Sequence, residues 1–283
     1  GIFLFYWLAG RVFGFSEIGV HLFELIYQLI TAAVLIWLMQ RELRQRIVAC
    51  LAAFLAVGSY YLSATGWHLG QVEGLVGLPI LVSLALASQS AASPAERRTR
   101  MFGAGLAAGV VALFKLMLAP IPAFFWLVAY AVRRSEEGSS TVSCCGDWLL
   151  PAVTGTVVVL GGTALWAGLH GGLPELLWAS FTYPVLASAE FARAPWTRLW
   201  DSALWLVRNY GIGILLAAGC GVGWRGWRKE VVTIQASAWL LLAAGAIVAQ
   251  KLSFFEYHFL LLVPPLGILA ARGADGVLGR VGW

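Results

Sequence analysis

Long apolar stretches separated by short polar loops run along the whole chain. Runs of about 18 or more apolar residues are typical of helices that cross a bilayer. These stretches predict about nine spans, at residues 17–39, 47–64, 71–88, 102–117, 119–132, 148–168, 204–223, 231–249 and 258–272. The opening segment 1–14 is apolar but too short to cross the hydrocarbon core, and we interpret it as a helix lying in the membrane interface.

Composition supports a membrane protein rather than a soluble one. Of the 283 residues, 60% are hydrophobic and only 12% are charged, whereas soluble domains carry about 25% charged residues. The sequence therefore predicts an all-α, polytopic membrane helical bundle, with residues 1–283 forming a single transmembrane domain. The four cysteines have neither disulfide-framework nor metal-ligand spacing.

The distribution of basic residues predicts the orientation of the chain in the plasma (inner) membrane. Of the 19 Lys and Arg residues, 13 fall in one set of alternate loops, at residues 40–46, 89–101, 133–147, 224–230 and 272–283. The positive-inside rule places this set in the cytoplasm and the long loop 169–203 on the outer face. Because the net charge of +5 arises from these loops, we expect membrane lipids as neighbours and no nucleic-acid partner.

Residues 102–132 are too long for one span and too short for two full ones. Arginine-rich segments flank both sides of this stretch, so both flanks should be cytoplasmic. The stretch must then leave and return as two short helices, broken around Lys115, Pro120 and Pro122. This hairpin places Lys115 towards the outer side.

Polar residues at the outer ends of spans are the candidates for a site. Glu73 begins a span, with His68 and Gln71 just before it. It is either an interfacial acid that benefits from the helix N-terminus or, with these two neighbours, a contact for a polar substrate. Lys115 is costly in the membrane, so it either extends to the interface or binds an anion such as a phosphate.

Two further clusters lie near span ends. Lys251, Tyr257 and His258 surround the outer end of the last span, where they form either an interfacial belt or a second wall of an outer-face site. His21 and Glu24 lie three positions apart on one face of the first span. We interpret this pair as a structural polar contact.

Four local patterns in this chain resemble polytopic glycosyltransferases of the protein O-mannosyltransferase and lipid A aminoarabinose transferase type. The patterns are residues 1–16, residues 70–75, the glycine-rich helix 105–109 that is followed by Phe114 and Lys115, and residues 256–266 with their aromatic-His and Pro-Pro elements. The family has a catalytic aspartate in its first outer loop, before a Lys-Pro-Pro motif. The resemblance therefore implies that the principal catalytic residue precedes Gly1.

The resemblance also implies a reaction, namely sugar transfer from a polyprenyl-phosphate carrier to a glycan, lipid or protein acceptor on the extracytoplasmic face. Lys115 is then the candidate to bind the donor phosphate, helped by Arg193, Lys251 or His258, while Glu73 positions the acceptor or the sugar. Side chains can neutralise a lipid-phosphate leaving group, so we expect no metal and no other cofactor.

Two other classes of function remain open from the residues alone. A multi-pass transporter or lipid flippase would favour paired intramembrane charges or internal symmetry, and neither is clear in the sequence. A non-catalytic membrane scaffold is the third possibility.

Overall fold

In a computed structural model of the chain, residues 1–63, 69–91, 93–137, 141–183, 185–186, 196–222, 230–250 and 254–281 are described, and they contain helices and no strand. The α-helices are α1 (Ile2–Phe13), α2 (Glu17–Glu42), α3 (Val48–Ser63), α4 (Val72–Ser88), α5 (Pro94–Phe114), α6 (Pro120–Glu137), α7 (Thr141–Leu169), α8 (Leu173–Leu177), α9 (Trp196–Val222), α10 (Val231–Gln250) and α11 (Val263–Val281). A π-helical stretch, Phe54–Gly58, lies inside α3, and α4 is irregular at Val76. The predicted all-α membrane fold is confirmed.

Five helical stretches of the described chain are long and apolar enough to cross a membrane, and the last of them joins a 3₁₀ helix (Glu256–Leu262) to α11: Glu17–Glu42, Cys145–Leu169, Trp196–Gly219, Val231–Ala249 and Glu256–Gly279. The segments Val48–Ser63, Val72–Ser88 and Leu116–Val132 are shorter apolar helices. Five predicted spans thus have a full-length counterpart in the described part of the chain, and the predicted number of nine is not reached on this criterion. The difference arises because these three helices have fewer than 18 residues, and because the helix that contains the remaining predicted span, Pro94–Phe114, begins with a charged segment.

Serine residues cap the starts of two helices that later position the site. The Ser16 hydroxyl accepts a hydrogen bond from the Gly19 N–H at 3.1 Å, and Ser93 does the same for Glu96 at 3.2 Å. Such caps satisfy backbone donors that have no partner within the helix. Pro94, in the first turn of α5, has no N–H that would need a partner.

The predicted break at Lys115 is present. Helix α5 ends at Phe114, Lys115 is extended (φ −160°), a 3₁₀ turn covers Leu116–Leu118, and α6 begins at Pro120. The start of α5, however, is Pro94 rather than the expected residue 102, because Ser93 and Pro94 form a helix start ahead of the apolar run.

Helices α5 and α7 pack in parallel through glycines. Arg98 pairs with Asp147 near one end of the two helices, and further along the Thr156 hydroxyl donates to the Gly105 carbonyl at 3.0 Å. A side chain at Gly155 would collide with the α5 backbone, so small residues permit this close approach. Since α5 and α7 run in the same direction, α6 must return between them, as the predicted hairpin requires.

One end of the bundle is tied by a buried arginine. The Arg272 guanidinium of α11 donates to Glu42 of α2 and to Glu230, just before α10, at 3.0 Å in each case. The nearby carboxylate of Asp275 accepts the Gln45 N–H at 3.0 Å. We call this the Arg272 end, and the opposite end, which contains Glu73, the Glu73 end.

The predicted outer-face loop, residues 169–203, is partly helical. It contains α8, which begins just before Pro174, and a π-helical turn over Trp178–Thr182. Helix α9 begins at Trp196 rather than at the expected residue 204. The apolar run marks only the part of a helix that suits a bilayer, and α9 extends beyond that run.

Candidate functional site

Glu73 lies at the start of α4, where the chain turns sharply into the helix. Gly70 has φ +70°, a left-handed conformation that glycine adopts without steric cost. Gln71 is extended and precedes the first helical residue, Val72. This turn directs Glu73 into the bundle, where only 3% of the residue is exposed.

Lys115 reaches Glu73 from the break between α5 and α6. Its ammonium donates to Glu73 Oε1 at 2.7 Å, and 25% of its side chain remains exposed. The backbone N–H of Lys115 still bonds to the Val111 carbonyl at 2.9 Å. The lysine is therefore anchored to the end of α5 while its charged group lies beside the buried carboxylate.

His258 approaches the same oxygen from the other side of Glu73. It lies in a 3₁₀ helix, Glu256–Leu262, that leads into α11. Its Nδ1 lies 2.8 Å from Glu73 Oε1, and the side chain is buried. A carboxylate accepts hydrogen bonds only, so Nδ1 carries the proton when Glu73 is ionised.

The cluster of Glu73, Lys115 and His258 is chemically suited to hold an anion. A lysine ammonium has three donors, and one of them is used by Glu73. A quarter of the Lys115 side chain remains exposed, whereas Glu73 is almost fully enclosed. The Glu73 carboxylate thus holds the Lys115 ammonium in place. Because Glu73 is buried, it is less accessible to a substrate than the sequence analysis expected for a residue at the start of a span.

Aromatic side chains form a wall beside His258. Tyr257 lies 4.4 Å from the His258 ring and stacks on Phe255 at 5.4 Å, measured between ring centroids. The guanidinium of Arg198 lies 5.5 Å from the Phe255 ring, a geometry that attracts a cation to the ring face. Arg198 is a cation near the site that the sequence analysis did not select.

The backbone before this wall is strained. Phe254 has φ +35°, which is unusual for a bulky residue. Ser202 donates to the Phe254 carbonyl at 2.6 Å, and Trp196 stacks on the Phe254 ring at 5.7 Å. Both contacts come from α9, so the early start of that helix holds this conformation.

The structure brings together three of the candidate residues, Glu73, Lys115 and His258, and places Tyr257 against them. Gln71 lies at the start of the same helix as Glu73. The remaining candidates, His68, Arg193 and Lys251, lie outside the described residues. The role of each in binding a substrate remains a prediction.

A second buried carboxylate lies near the site. The Glu24 carboxylate accepts from the Tyr60 hydroxyl at 2.5 Å and from the Gly70 N–H at 2.8 Å, and His21 Nδ1 lies 3.3 Å away. The His21–Glu24 contact expected from the sequence is therefore present, but it belongs to a larger network. The repetition of polar residues on one face of an apolar helix was the sequence signal for it.

Tyr6 of α1 supports the same turn. Its hydroxyl donates to the Gly70 carbonyl at 2.8 Å. Burial raises the pKa of Tyr6, and the charge of Glu24 raises it further, so this hydroxyl stays protonated and remains a donor.

Two cavities differ in their relation to the site. A narrow one of about 20 Å³, room for a single water, lies beside the start of α4 and includes Tyr60, Gly74 and Leu260 in its lining. A groove of about 510 Å³ lies between α5 and α7 near Arg98 and Asp147, away from the cluster. Among the described residues, no three His, Cys, Asp or Glu side chains converge as a metal site would require.

Comparison with known proteins identifies the class of the chain. The sequence profile of the dolichyl-phosphate-mannose-protein mannosyltransferases matches residues 1–146, which include Glu73 and Lys115 but not His258. No curated protein and no solved structure matches the chain. The match confirms the resemblance and, with the apolar helices, shows a multi-pass membrane glycosyltransferase. This chain belongs to the dolichyl-phosphate-mannose-protein mannosyltransferase family.

Proposed function

We propose that this transferase takes its sugar from a polyprenyl-phosphate carrier and that Lys115 binds the phosphate of that donor. The observation that carries the proposal is the ammonium of Lys115, held at 2.7 Å by the buried Glu73 and still 25% exposed in its side chain. A preorganised cation of this kind stabilises the negative charge that develops on a departing phosphate.

The chemistry requires one proton transfer and one exchange of bonds. An acceptor hydroxyl attacks the anomeric carbon of the sugar, the bond from that carbon to the phosphate oxygen breaks, and polyprenyl phosphate leaves as an anion. A carboxylate base takes the hydroxyl proton.

We further propose that the reaction occurs on the extracytoplasmic face of the inner membrane. Arg44, in one of the arginine-rich loops that the positive-inside rule assigns to the cytoplasm, contacts Asp275 at the Arg272 end, and the cluster lies at the Glu73 end. The acceptor is a glycan, a lipid or a protein.

The test uses the full-length protein reconstituted in liposomes with radiolabelled mannosyl-phosphoryl-polyprenol. Mannose is chosen because it is the sugar that the family transfers according to its name. The wild-type protein should bind this lipid and transfer its label to an acceptor in membrane extract. Lys115→Met should raise the donor Kd roughly 10- to 150-fold, because this is the effect expected when one hydrogen bond to a charged group is lost.

The matched control is Arg98→Met. Arg98 lies on α5, the helix that ends just before Lys115, and also pairs with a carboxylate at 2.7 Å, but it is at the other end of that helix. Its replacement should leave the donor Kd unchanged. If the wild-type protein neither binds nor uses the donor, the carrier class is wrong. If Lys115→Met binds the donor as tightly as wild type, Lys115 does not hold the phosphate.

A further inference from the structure

One face of α2 presents three polar side chains to the backbone that carries Glu73. Glu24, Tyr27 and Gln28 hydrogen-bond to backbone groups of residues 70–75, at 2.8, 2.7 and 3.0 Å. Positions separated by three and four residues share one helix face. These three residues, which we call the α2 polar stripe, therefore contact the chain on both sides of Glu73.

The stripe supplies hydrogen bonds that α4 cannot make for itself. In a regular helix the Leu75 carbonyl would accept the N–H of residue 79, but that residue is Pro79 and has no N–H. The Tyr27 hydroxyl donates to this carbonyl instead. Gln28 donates to the adjacent Gly74 carbonyl. The irregular start of α4 is thus held by α2 in addition to its own backbone hydrogen bonds, such as that from the Val76 N–H to the Val72 carbonyl at 2.8 Å.

Glu24 holds the turn that precedes the helix. Only 1% of Glu24 is exposed, and a buried carboxylate is tolerated only when it is hydrogen-bonded. Its partners are Tyr60, His21 and the N–H of Gly70, whose carbonyl is held in turn by Tyr6. The N–H and the carbonyl of Gly70, which belong to consecutive peptide units, are therefore both held by side chains.

We infer that the α2 polar stripe is a positioning device that sets the location of Glu73 and, through it, of Lys115 and His258 during sugar transfer. This inference rests on the proposed function. Catalysis depends steeply on geometry, and a displacement of about 1 Å can cost roughly 100-fold in rate. The stripe does not touch substrate, since its groups are engaged with the backbone of residues 70–75.

The first test does not depend on the reaction. Hydrogen–deuterium exchange of the full-length protein in lipid nanodiscs is followed for the peptide that covers residues 69–75. Glu24→Ala should speed exchange of the Gly70 amide at least about 10-fold, because that amide loses its hydrogen bond to a charged group. Glu17→Gln is the matched control, because Glu17 is on the same helix and also lies near His21, at 3.8 Å, but its side chain is 89% exposed. Equal exchange in wild type and Glu24→Ala overturns the inference.

The second test measures transfer from mannosyl-phosphoryl-polyprenol. Glu24→Ala and Tyr27→Phe should lower kcat about 10-fold or more while the KM for donor stays within about 3-fold. Glu24→Gln should recover part of kcat, because its amide oxygen can still accept the Gly70 N–H; it also replaces Glu24→Ala if that variant does not fold.

The outcomes separate the two claims. If wild type transfers no sugar, the proposed function fails, whereas the exchange result still decides whether α2 holds the turn. If wild type is active and the variants transfer at the wild-type rate, the positioning role fails and the proposed function stands.

Discussion

Replacement of Lys115 by methionine should destabilise the protein by leaving a buried charge without its main partner. At 2.7 Å and an effective dielectric constant of about 20, the Coulomb attraction between the two charges is about 6 kcal/mol before desolvation is counted. Truncation of one member of a buried pair typically costs about 3–5 kcal/mol. Because His258 still contacts Glu73 and Lys115 is partly exposed, we expect the lower end, about 3 kcal/mol.

A double-mutant cycle isolates the pair. Lys115→Met, Glu73→Gln and the double variant are compared with wild type in the full-length protein. The double variant should be more stable than Lys115→Met alone, because it contains no unpaired carboxylate, with a coupling energy of about 2 kcal/mol. The Arg98–Asp147 pair has the same 2.7 Å distance but a 62% exposed arginine side chain, so its coupling should be below about 1 kcal/mol.

Thermal unfolding of the detergent-solubilised protein, followed by tryptophan fluorescence, provides the measurement. A loss of about 3 kcal/mol corresponds to a decrease in Tm of roughly 6–12 °C for a chain of this size. If the double variant loses the sum of the two single losses, Glu73 and Lys115 are not coupled and the cluster does not exist as described.

Three further predictions follow from other parts of the molecule. Gly155→Leu should destabilise the protein by about 1–3 kcal/mol in the same unfolding assay, because the new side chain collides with α5. Gly161→Leu is the control and should have little effect, because a Cβ at Gly161 meets nothing within 4 Å. Arg272→Met should lower Tm, because it removes the buried cation that lies between the carboxylates of Glu42 and Glu230. It should leave the donor Kd unchanged, since Arg272 lies at the opposite end from the cluster, and a raised Kd would contradict this separation. In a cysteine-free background, a membrane-impermeant thiol reagent applied from outside should label Trp178→Cys but not Ser135→Cys, and the reverse pattern would invert the proposed orientation.

Local sequence signals predicted several elements correctly. The first span, predicted at 17–39, corresponds to Glu17–Glu42, because an apolar run and the capping Ser16 are both local properties. The break at Lys115 was predicted from the parity of the arginine-rich flanks and from the prolines that follow. The class of the protein was also predicted, through patterns that lie mostly within the matched residues 1–146.

Other features required the folded chain. The start of α9 at Trp196 could not be predicted from hydropathy, because a helix can extend past the bilayer without an apolar signal. The sequence shows that Glu24, Tyr27 and Gln28 are spaced to share one face of a helix. Only the folded structure shows that they hydrogen-bond to backbone groups of residues 70–75.

The sequence by itself determined the all-α membrane fold, the family and the individual polar residues that a bilayer would penalise. Only the tertiary structure decided which of them meet, because Glu73 contacts Lys115 and His258 across 42 and 185 positions of the chain. Hydrophobic periodicity acts on one helix at a time, whereas a shared carboxylate oxygen depends on how three helix ends pack together. Packing also buried Glu73 and left part of the Lys115 side chain exposed, and the proposed role of Lys115 in binding the donor phosphate rests on that exposed cation.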